Sequence, residues 1–474
     1  MARENGQTFI VDIDRLDAKG SGQSVIWHEH EPGQPPKKLK LTIPRTLPGE
    51  KVRVTVDRPK RRRRIAVPEE ILQAHEERIV PACPHFDLCG GCVFQHWQYA
   101  GQLRQKTAHV KQAIERAGFD PSLVRETIGM DDPWHYRNKM EFTFAPDGTL
   151  GLHEQGNFQN IIALETCLIC REEMTAAAME VAHWAKTHAL SGYDKKSHEG
   201  LLRHLMVRQS FATGEMMLAF FATEGPEAHK KAVFDLKTRI SEKFPQVKSL
   251  LWLENTQWAD RTQSEKTHVL SGRDFIYDEL AGFRYRLWFD TFFQTNPTQA
   301  EKLVELALEM GEPKKSEKMI DLFCGVGTFS LPFAKRVERL AGIEIVETSI
   351  ASAKRNAADN GISNTFFLAK DARHGIDEVL EAFGAPELLL LDPPRSGAGG
   401  KVMRKIGRAQ PERIVYVSCN PDTFADDIKE LVPFGYELKK VQPVDLFPHT
   451  VHVECVALLG QRDCNLQINI SESK

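Results

Sequence analysis

The sequence predicts a multidomain protein: a small N-terminal β-barrel of OB type, a central α+β domain carrying a cysteine cluster, and a C-terminal α/β domain with a doubly wound sheet. Three observations carry this. Short β-type runs crowd into the first sixty or so residues, strand and helix patterns alternate regularly from about residue 280, and the stretch between mixes both without regular order. A chain of 474 residues also exceeds one ordinary domain.

In residues 1–66, Thr8-Phe9-Ile10-Val11, Val25-Ile26-Trp27, Leu39-Lys40-Leu41-Thr42-Ile43 and Lys51-Val52-Arg53-Val54-Thr55-Val56 read as β-type runs, with glycine turns near Gly20 and Gly49. Five short strands in that span suggest a barrel. The net charge of -3 hides an asymmetry: Lys37 to Arg64 holds twelve Lys and Arg against only Glu50 and Asp57, leaving the remainder near -13. The run Lys60-Arg61-Arg62-Arg63-Arg64 is either a solvated linker or, beside a small barrel, a polyanion contact, and the second reading is preferred.

Residues 67–275 are expected to form the central domain, with helices near 97–117 and 172–190 and strands near 139–145, 204–211 and 216–222. Hydrophobic content of 41% and charged content of 27% are those of a soluble globular chain. No apolar stretch is long enough to span a bilayer, and the N-terminus has no apolar signal core, so a cytoplasmic location is expected. Nine cysteines in such a chain point to metal or catalytic work rather than disulfides. Cys83, Cys89 and Cys92 lie within ten residues of one another, with Cys167 and Cys170 farther on. The five residues between Cys83 and Cys89 are awkward for a zinc knuckle, whereas iron–sulfur clusters accept varied spacings; zinc stays the alternative metal.

Residues 276–463 read as strands at Met319–Phe323, Leu340–Glu344, Thr365–Ala369, Glu387–Leu391 and Arg413–Ser418, each followed by a helix, with two closing strands around Pro448. Residues 464–474 form a polar tail. The turn Asp321-Leu322-Phe323-Cys324-Gly325-Val326-Gly327-Thr328 opens a helix directly after a strand, so its glycines permit close approach to a ligand. Glu344, at the next strand end, suits two ribose hydroxyls, and Asp371, after the third, suits an adenine. The Gly-x-Gly-x-x-Gly of a dinucleotide dehydrogenase is missing. This half resembles a class I S-adenosylmethionine methyltransferase.

Asp392-Pro393-Pro394-Arg395 follows the fourth strand, where such enzymes present the target base. Arg395 replaces the aromatic residue usual in amino-nitrogen methyltransferases, and neither proline is the cysteine usual in cytosine-C5 enzymes. Cys419 ends the fifth strand. An arbitrary cysteine there is more often a packed thiol, but at the strand ends where α/β folds place their chemistry a thiol also reads as a nucleophile, and a nearby carboxylate as a proton acceptor. Cys419 and Glu454 are the candidates for those two acts.

Ser418-Cys419-Asn420-Pro421, Asp392-Pro393-Pro394-Arg395 and His449-x-x-His452-x-Glu454 together resemble the RNA uracil-C5 methyltransferase family. The resemblance implies a class I, Rossmann-like domain, Cys419 as nucleophile and Glu454 as base. It also implies cofactor and substrate contacts at Gln294, Phe323, Thr328, Glu344, Asp371 and Asp392. His449 and His452 are given no catalytic role; Phe293 either stacks on the displaced base or fills the core; Cys324 and Cys455 are read as core. Leu47-Pro48-Gly49-Glu50-Lys51-Val52 resembles a TRAM domain, and Cys83-x5-Cys89-Gly90-Gly91-Cys92 resembles the motif by which one branch holds a 4Fe-4S cluster. That resemblance implies metal ligands Cys83, Cys89, Cys92 and Cys167, with Cys170 as the substitute. The implied enzyme is a monomer that makes 5-methyluridine with S-adenosyl-L-methionine, in 23S ribosomal RNA rather than transfer RNA because the transfer RNA branch generally lacks barrel and cluster. A ribosome-assembly factor that binds RNA without turnover is the reading outside enzymology.

Overall fold

The computed structural model of the chain describes residues 7–28, 35–56, 63–258 and 264–462, and every count of elements refers to these. Contacts divide the chain into two units, Met1–Gln105 with Phe447–Val451, and Lys106–Leu446 with His452–Lys474.

The first unit is built on β1 (Gln7–Asp12), β2 (Arg15–Leu16), β3 (Gly22–His28), β4 (Lys37–Ile43), β5 (Lys51–Val56) and β6 (Arg63–Gln73). They form one six-stranded sheet in the order β1-β5-β6-β4-β3-β2, antiparallel except for the β4–β6 pair. Period-two alternation works as the sequence suggests: β4 buries Leu39, Leu41 and Ile43 and exposes Lys38 and Lys40. β6 continues to Gln73, across residue 67 where the central domain is expected to begin; a register shift beside Val54, the partner of Pro68, accommodates the missing amide. Of the basic run, residues 60–62 lie outside the described residues, and Arg63 and Arg64 open β6; Cys464 and the tail also lie outside.

Glu50 ties this sheet to the segment after it. Its buried carboxylate accepts from Leu47 N (2.8 Å), His75 N (3.2 Å), Arg78 Nε (2.5 Å) and Arg78 Nη2 (2.8 Å). Burial alone would raise its pKa, but these donors hold it below the usual range. Residues 447–451 return to this unit late in the chain: His449 O accepts from Val93 N (2.7 Å) and Phe94 N (3.0 Å), and His449 N donates to Gln102 Oε1 (3.0 Å).

After α1 (Tyr99–Arg116), the second unit opens with β7 (Lys139–Phe144), β8 (Leu150–Glu154), β9 (Asn157–Ala163), α2 (Glu172–Thr187), β10 (Leu202–Gln209), β11 (Met216–Ala222), α3 (Lys230–Lys243), β12 (Val247–Glu254) and β13 (Lys266–Gly272). Its seven-stranded sheet has the order β13-β12-β11-β10-β7-β8-β9. α2 and α3 contribute Met174, Val181, Trp184, Leu236 and Ile240 to a core shared with Phe142, Leu205, Leu218 and Trp252. A hairpin follows, β14 (Phe275–Leu280) with β15 (Phe283–Trp288).

The remaining elements are α4 (Pro297–Gly311), β16 (Lys318–Leu322), α5 (Ser330–Ala334), β17 (Arg339–Glu344), α6 (Glu347–Asp359), β18 (Thr365–Ala369), α7 (Ala372–Phe383), β19 (Leu388–Leu391), α8 (Gly400–Ala409), β20 (Arg413–Ser418), α9 (Pro421–Lys429), β21 (Tyr436–Val444) and β22 (Glu454–Gln461). The sheet order is β18-β17-β16-β19-β20-β22-β21, parallel from β18 to β20 and antiparallel for the last two strands. Leu388 to Leu391 are all buried, which is why β19 reads as an unbroken apolar run; each such side chain contributes about 2 kcal/mol. Val110, Ala113, Ile114 and Val124 belong to this same core, and Val124 and Ile128 bridge to Val441 and Val444 of β21. Residues 106–128, expected in the middle region, therefore pack with the C-terminal sheet. Among the described residues no helix is long and apolar enough to cross a membrane.

Candidate active site

Because β18, β17, β16, β19 and β20 run parallel, their carboxyl ends lie along one edge, and the order reverses between β16 and β19. Ligands of open α/β sheets bind at such a reversal. Phe323, Asp392 and Cys419 each follow the last residue of a strand, Glu344 ends one, and Asp371 lies two residues past β18. β22 runs opposite to β20 with Cys455 paired to Ser418, so Glu454, the first residue of β22, lies beside Cys419.

The turn after β16 has the shape a ligand cradle needs. Phe323 (φ 64°) and Gly325 (φ 53°) both occupy the left-handed region, which for the phenylalanine costs about 1 kcal/mol or more. A Cβ at Gly325 would meet nothing within 4 Å, leaving the turn open. Glu344 accepts from Gly325 N (3.4 Å) and Val346 N (3.0 Å). Asp321, buried beneath, accepts from Ser330 Oγ through one oxygen while its Oδ1 has no hydrogen-bond partner; burial, with the charges of Asp392 and Glu344, pushes it up to about 7.

Other expected site residues are held by neighbours. Asp371 caps α7 and is gripped by Arg373 Nε (2.8 Å) and Nη2 (2.9 Å), which bring it down to about 2. Gln294 is buried, and its carbonyl accepts from Asn138 Nδ2 (3.2 Å). Thr328 offers its carbonyl to the Tyr285 hydroxyl (3.4 Å). Asn296 caps α4, a contribution of about 1 kcal/mol, and donates to Leu446 O (3.0 Å).

The loop after β19 is fixed by groups that the sequence reading did not single out. Asn420 Nδ2 (3.1 Å) and Thr423 Oγ1 (3.2 Å) both donate to Arg395 O. Buried Asp427 accepts from Ala398 N (2.6 Å), Gly399 N (3.0 Å) and the Tyr416 hydroxyl (2.6 Å). Gly397 has φ 81°, and a Cβ there would lie 2.7 Å from Asp427 Oδ2. A carboxylate six residues into a helix gives no local sign of serving a distant loop.

Four groups share the electrostatics of this edge. Burial, then the charges of Glu454 and Asp392, push the Cys419 thiol up to about 12, against the guanidinium of Arg395. Burial and Asp392 push Glu454 up to about 8, and desolvation pushes Asp392 up to about 7. Arg395 donates to His452 Nδ1 (3.2 Å); burial and the nearby cations bring His452 down to about 4, so its ring is a neutral acceptor. A half-buried thiol, two carboxyls that readily hold protons, and one fixed cation suit covalent catalysis with proton transfer.

A family model described as tRNA (Uracil-5-)-methyltransferase matches residues 98–462. An uncharacterized RNA methyltransferase of Halalkalibacterium halodurans is 37% identical over 423 residues, covering 88% of this chain and 92% of its own. One of Caldanaerobacter subterraneus is 35% identical over 464 residues, covering 96% and 99%. The chain belongs to the RNA uracil-C5 methyltransferase family. A solved structure of the same methyltransferase type, the Pyrococcus abyssi tRNA (uracil-54, C5)-methyltransferase in complex with S-adenosyl-L-homocysteine, superposes with a TM-score of 0.76 at 27% identity, over 95% of this chain and 99% of that one. This family member is accordingly an S-adenosylmethionine-dependent RNA methyltransferase, and the open turn at Gly325 with Glu344 beside it fits that cofactor.

Elsewhere in this methyltransferase, Phe293 is buried and packs on Tyr285 with centroids 5.2 Å apart, so of its two alternatives the core role holds, while Phe292 is 68% exposed. Cys324 and Cys455 are buried. In the first unit, Cys83, Cys89 and Cys92 are partly exposed, and Cys89 Sγ accepts from Gly91 N (3.3 Å). In the second unit, the hydrogen bond from Cys170 brings the Cys167 thiol down to about 7, while Cys170 is pushed far up.

Proposed function

We propose that this enzyme methylates carbon 5 of a uridine in RNA by covalent catalysis, with Cys419 as nucleophile and Glu454 as base. The adjacency of Cys419 and Glu454 at the edge where the sheet reverses carries this reading. Cys419 loses its proton and adds through Sγ to carbon 6 of the uracil, which makes carbon 5 nucleophilic. S-adenosylmethionine supplies the electrophilic methyl group that carbon 5 takes. Glu454 then removes the carbon-5 proton, the carbon 5–carbon 6 double bond re-forms, and the thiolate leaves. Arg395 favours the thiolate. We assign Phe323, Thr328, Glu344, Asp371, Asp392 and Gln294 to cofactor and substrate, Asp371 on the resemblance alone since Arg373 engages its carboxylate. The target base must leave its stack for opposite faces to become accessible.

The RNA class has two readings. The barrel and cysteines favour 23S ribosomal RNA in the sequence, but the full-length match to an enzyme named for transfer RNA supports that substrate equally. Incubating the enzyme with labelled S-adenosylmethionine and unmodified transcripts of both RNAs, then mapping 5-methyluridine by mass, decides between them. Label in neither RNA contradicts the function.

We also propose Cys83, Cys89 and Cys92 as ligands of an iron–sulfur cluster, supported by the hydrogen bond that the Gly91 amide donates to Cys89 Sγ. Cys167 remains the fourth ligand that the resemblance implies, with Cys170 as its substitute. Methyl transfer needs no electron, so the role proposed for the cluster is structural or RNA-organising. Anaerobic purification should yield iron and sulfide; zinc without sulfide rejects the cluster.

A further inference from the structure

We propose that Trp258, in the loop after β12, is a stacking platform for a second, unflipped base of the substrate RNA, with Lys195 and Lys196 near its phosphates. The inference rests on RNA being the substrate. Trp258 is 78% exposed. It is nonetheless held in one orientation: its ring stacks on His198 with centroids 4.7 Å apart and an interplanar angle of 21°. His198 is fixed by the Tyr193 hydroxyl (2.8 Å to Nδ1), and its backbone is in the left-handed region (φ 61°). The Arg203 guanidinium lies 3.9 Å over the Tyr193 ring and donates to Gln257 O, closing the assembly beside Trp258.

A buttressed, outward-facing indole suits sequence-tolerant base stacking, because the ring contact reduces the rotamer freedom lost on binding. The loop that carries His198 also carries Lys195 and Lys196, both exposed, between Asp194 and Glu199. Aromatic and basic groups side by side match the two faces of a single strand, base and phosphate.

The position makes this a contact remote from the chemistry. Trp258 follows β12, whose end Glu254 pairs with Ala222, which pairs in turn with Leu202 at the start of β10. The far end of β10, Gln209, donates to Asn138 O, and Asn138 holds Gln294. Eight residues of strand separate the two ends, roughly 23 Å. The platform therefore serves affinity and placement of the RNA and takes no part in the methyl transfer.

The test compares wild type with Trp258→Ala and Trp258→Phe, using unmodified transcripts of 23S ribosomal RNA and transfer RNA. Trp258→Ala should raise Kd for at least one RNA about tenfold, with kcat at saturating RNA unchanged, and Trp258→Phe should recover most of the loss. Transcripts carrying 5-iodouridine should photocrosslink to the peptide containing Trp258. Kd within twofold of wild type for both RNAs, or equal losses in the Ala and Phe variants, overturns the proposal. Binding is read without turnover, so a failure here is separate from a failure of the methylation reading.

Discussion

Cys419 and Glu454 are both disposed to hold protons in the free protein, the thiol near 12 and the carboxyl near 8, because each is desolvated and each faces a further acid. Turnover should rise with pH through about 8 as Glu454 ionises, and should not level off there, since the Cys419 thiol ionises only towards 12. Glu454→Gln should lose that rising limb and accumulate the methylated covalent adduct, read as a protein–RNA band stable to denaturant. The same shift has a cost in stability. A carboxyl whose folded pKa exceeds the unfolded value holds its proton more tightly when folded, so stability falls as pH rises from about 4.5 to about 8. Glu454→Gln should therefore melt roughly 5 °C above wild type at pH 9 and converge with it near pH 5. A lower Tm at pH 9 would contradict the buried-carboxylate account. At this scale the sequence was informative where a motif concentrates chemistry, as in Ser418-Cys419-Asn420-Pro421. It was silent on Asp321, whose unpartnered oxygen depends on depth of burial rather than on pattern.

The loop after β19 shows how elements position the site. Asp427 of α9 holds Ala398, Gly399 and Tyr416 at once, and Asn420 and Thr423, at the start of the same helix, hold Arg395. Asp427→Ala leaves two amides and a hydroxyl without their acceptor and should destabilise the protein by about 3 kcal/mol. Covalent capture should slow at temperatures where the variant remains folded, and unchanged capture would detach the loop from catalysis. The parallel strands were legible to within a residue or two, because each is an apolar run closed by a turn, as in Arg413–Ser418. β6 escaped the reading, since the basic run, Pro68 and the glutamates break the β pattern and the partner that tolerates them lies in another strand. The β14–β15 hairpin also escaped the reading, because its six-residue strands mix arginines and acids with the aromatics.

At the scale of the whole molecule, chain order and packing order differ. Residues 106–128 join the core of β16 to β22, and 447–451 return to the first unit, where His449 is bound by Val93, Phe94 and Gln102. Composition cannot reveal either, since apolar spacing in a helix such as Val110, Ala113 and Ile114 marks a buried face without naming the sheet that buries it. Charge is the property that the sequence does convey globally. Neutralising Arg61 to Arg64 should weaken RNA binding and make it less steeply dependent on salt. An unchanged slope of log affinity against log salt would reduce that run to a linker.

The central claim is that a thiolate at the end of β20 becomes covalently attached to the RNA. RNA transcribed with 5-fluorouridine in place of uridine, incubated with S-adenosylmethionine, blocks the final proton removal and should trap that bond. The account predicts a denaturant-stable adduct mapped to Cys419 and absent from Cys419→Ala, which should still bind RNA. No adduct from the wild-type enzyme, or an adduct that persists in Cys419→Ala, would contradict it.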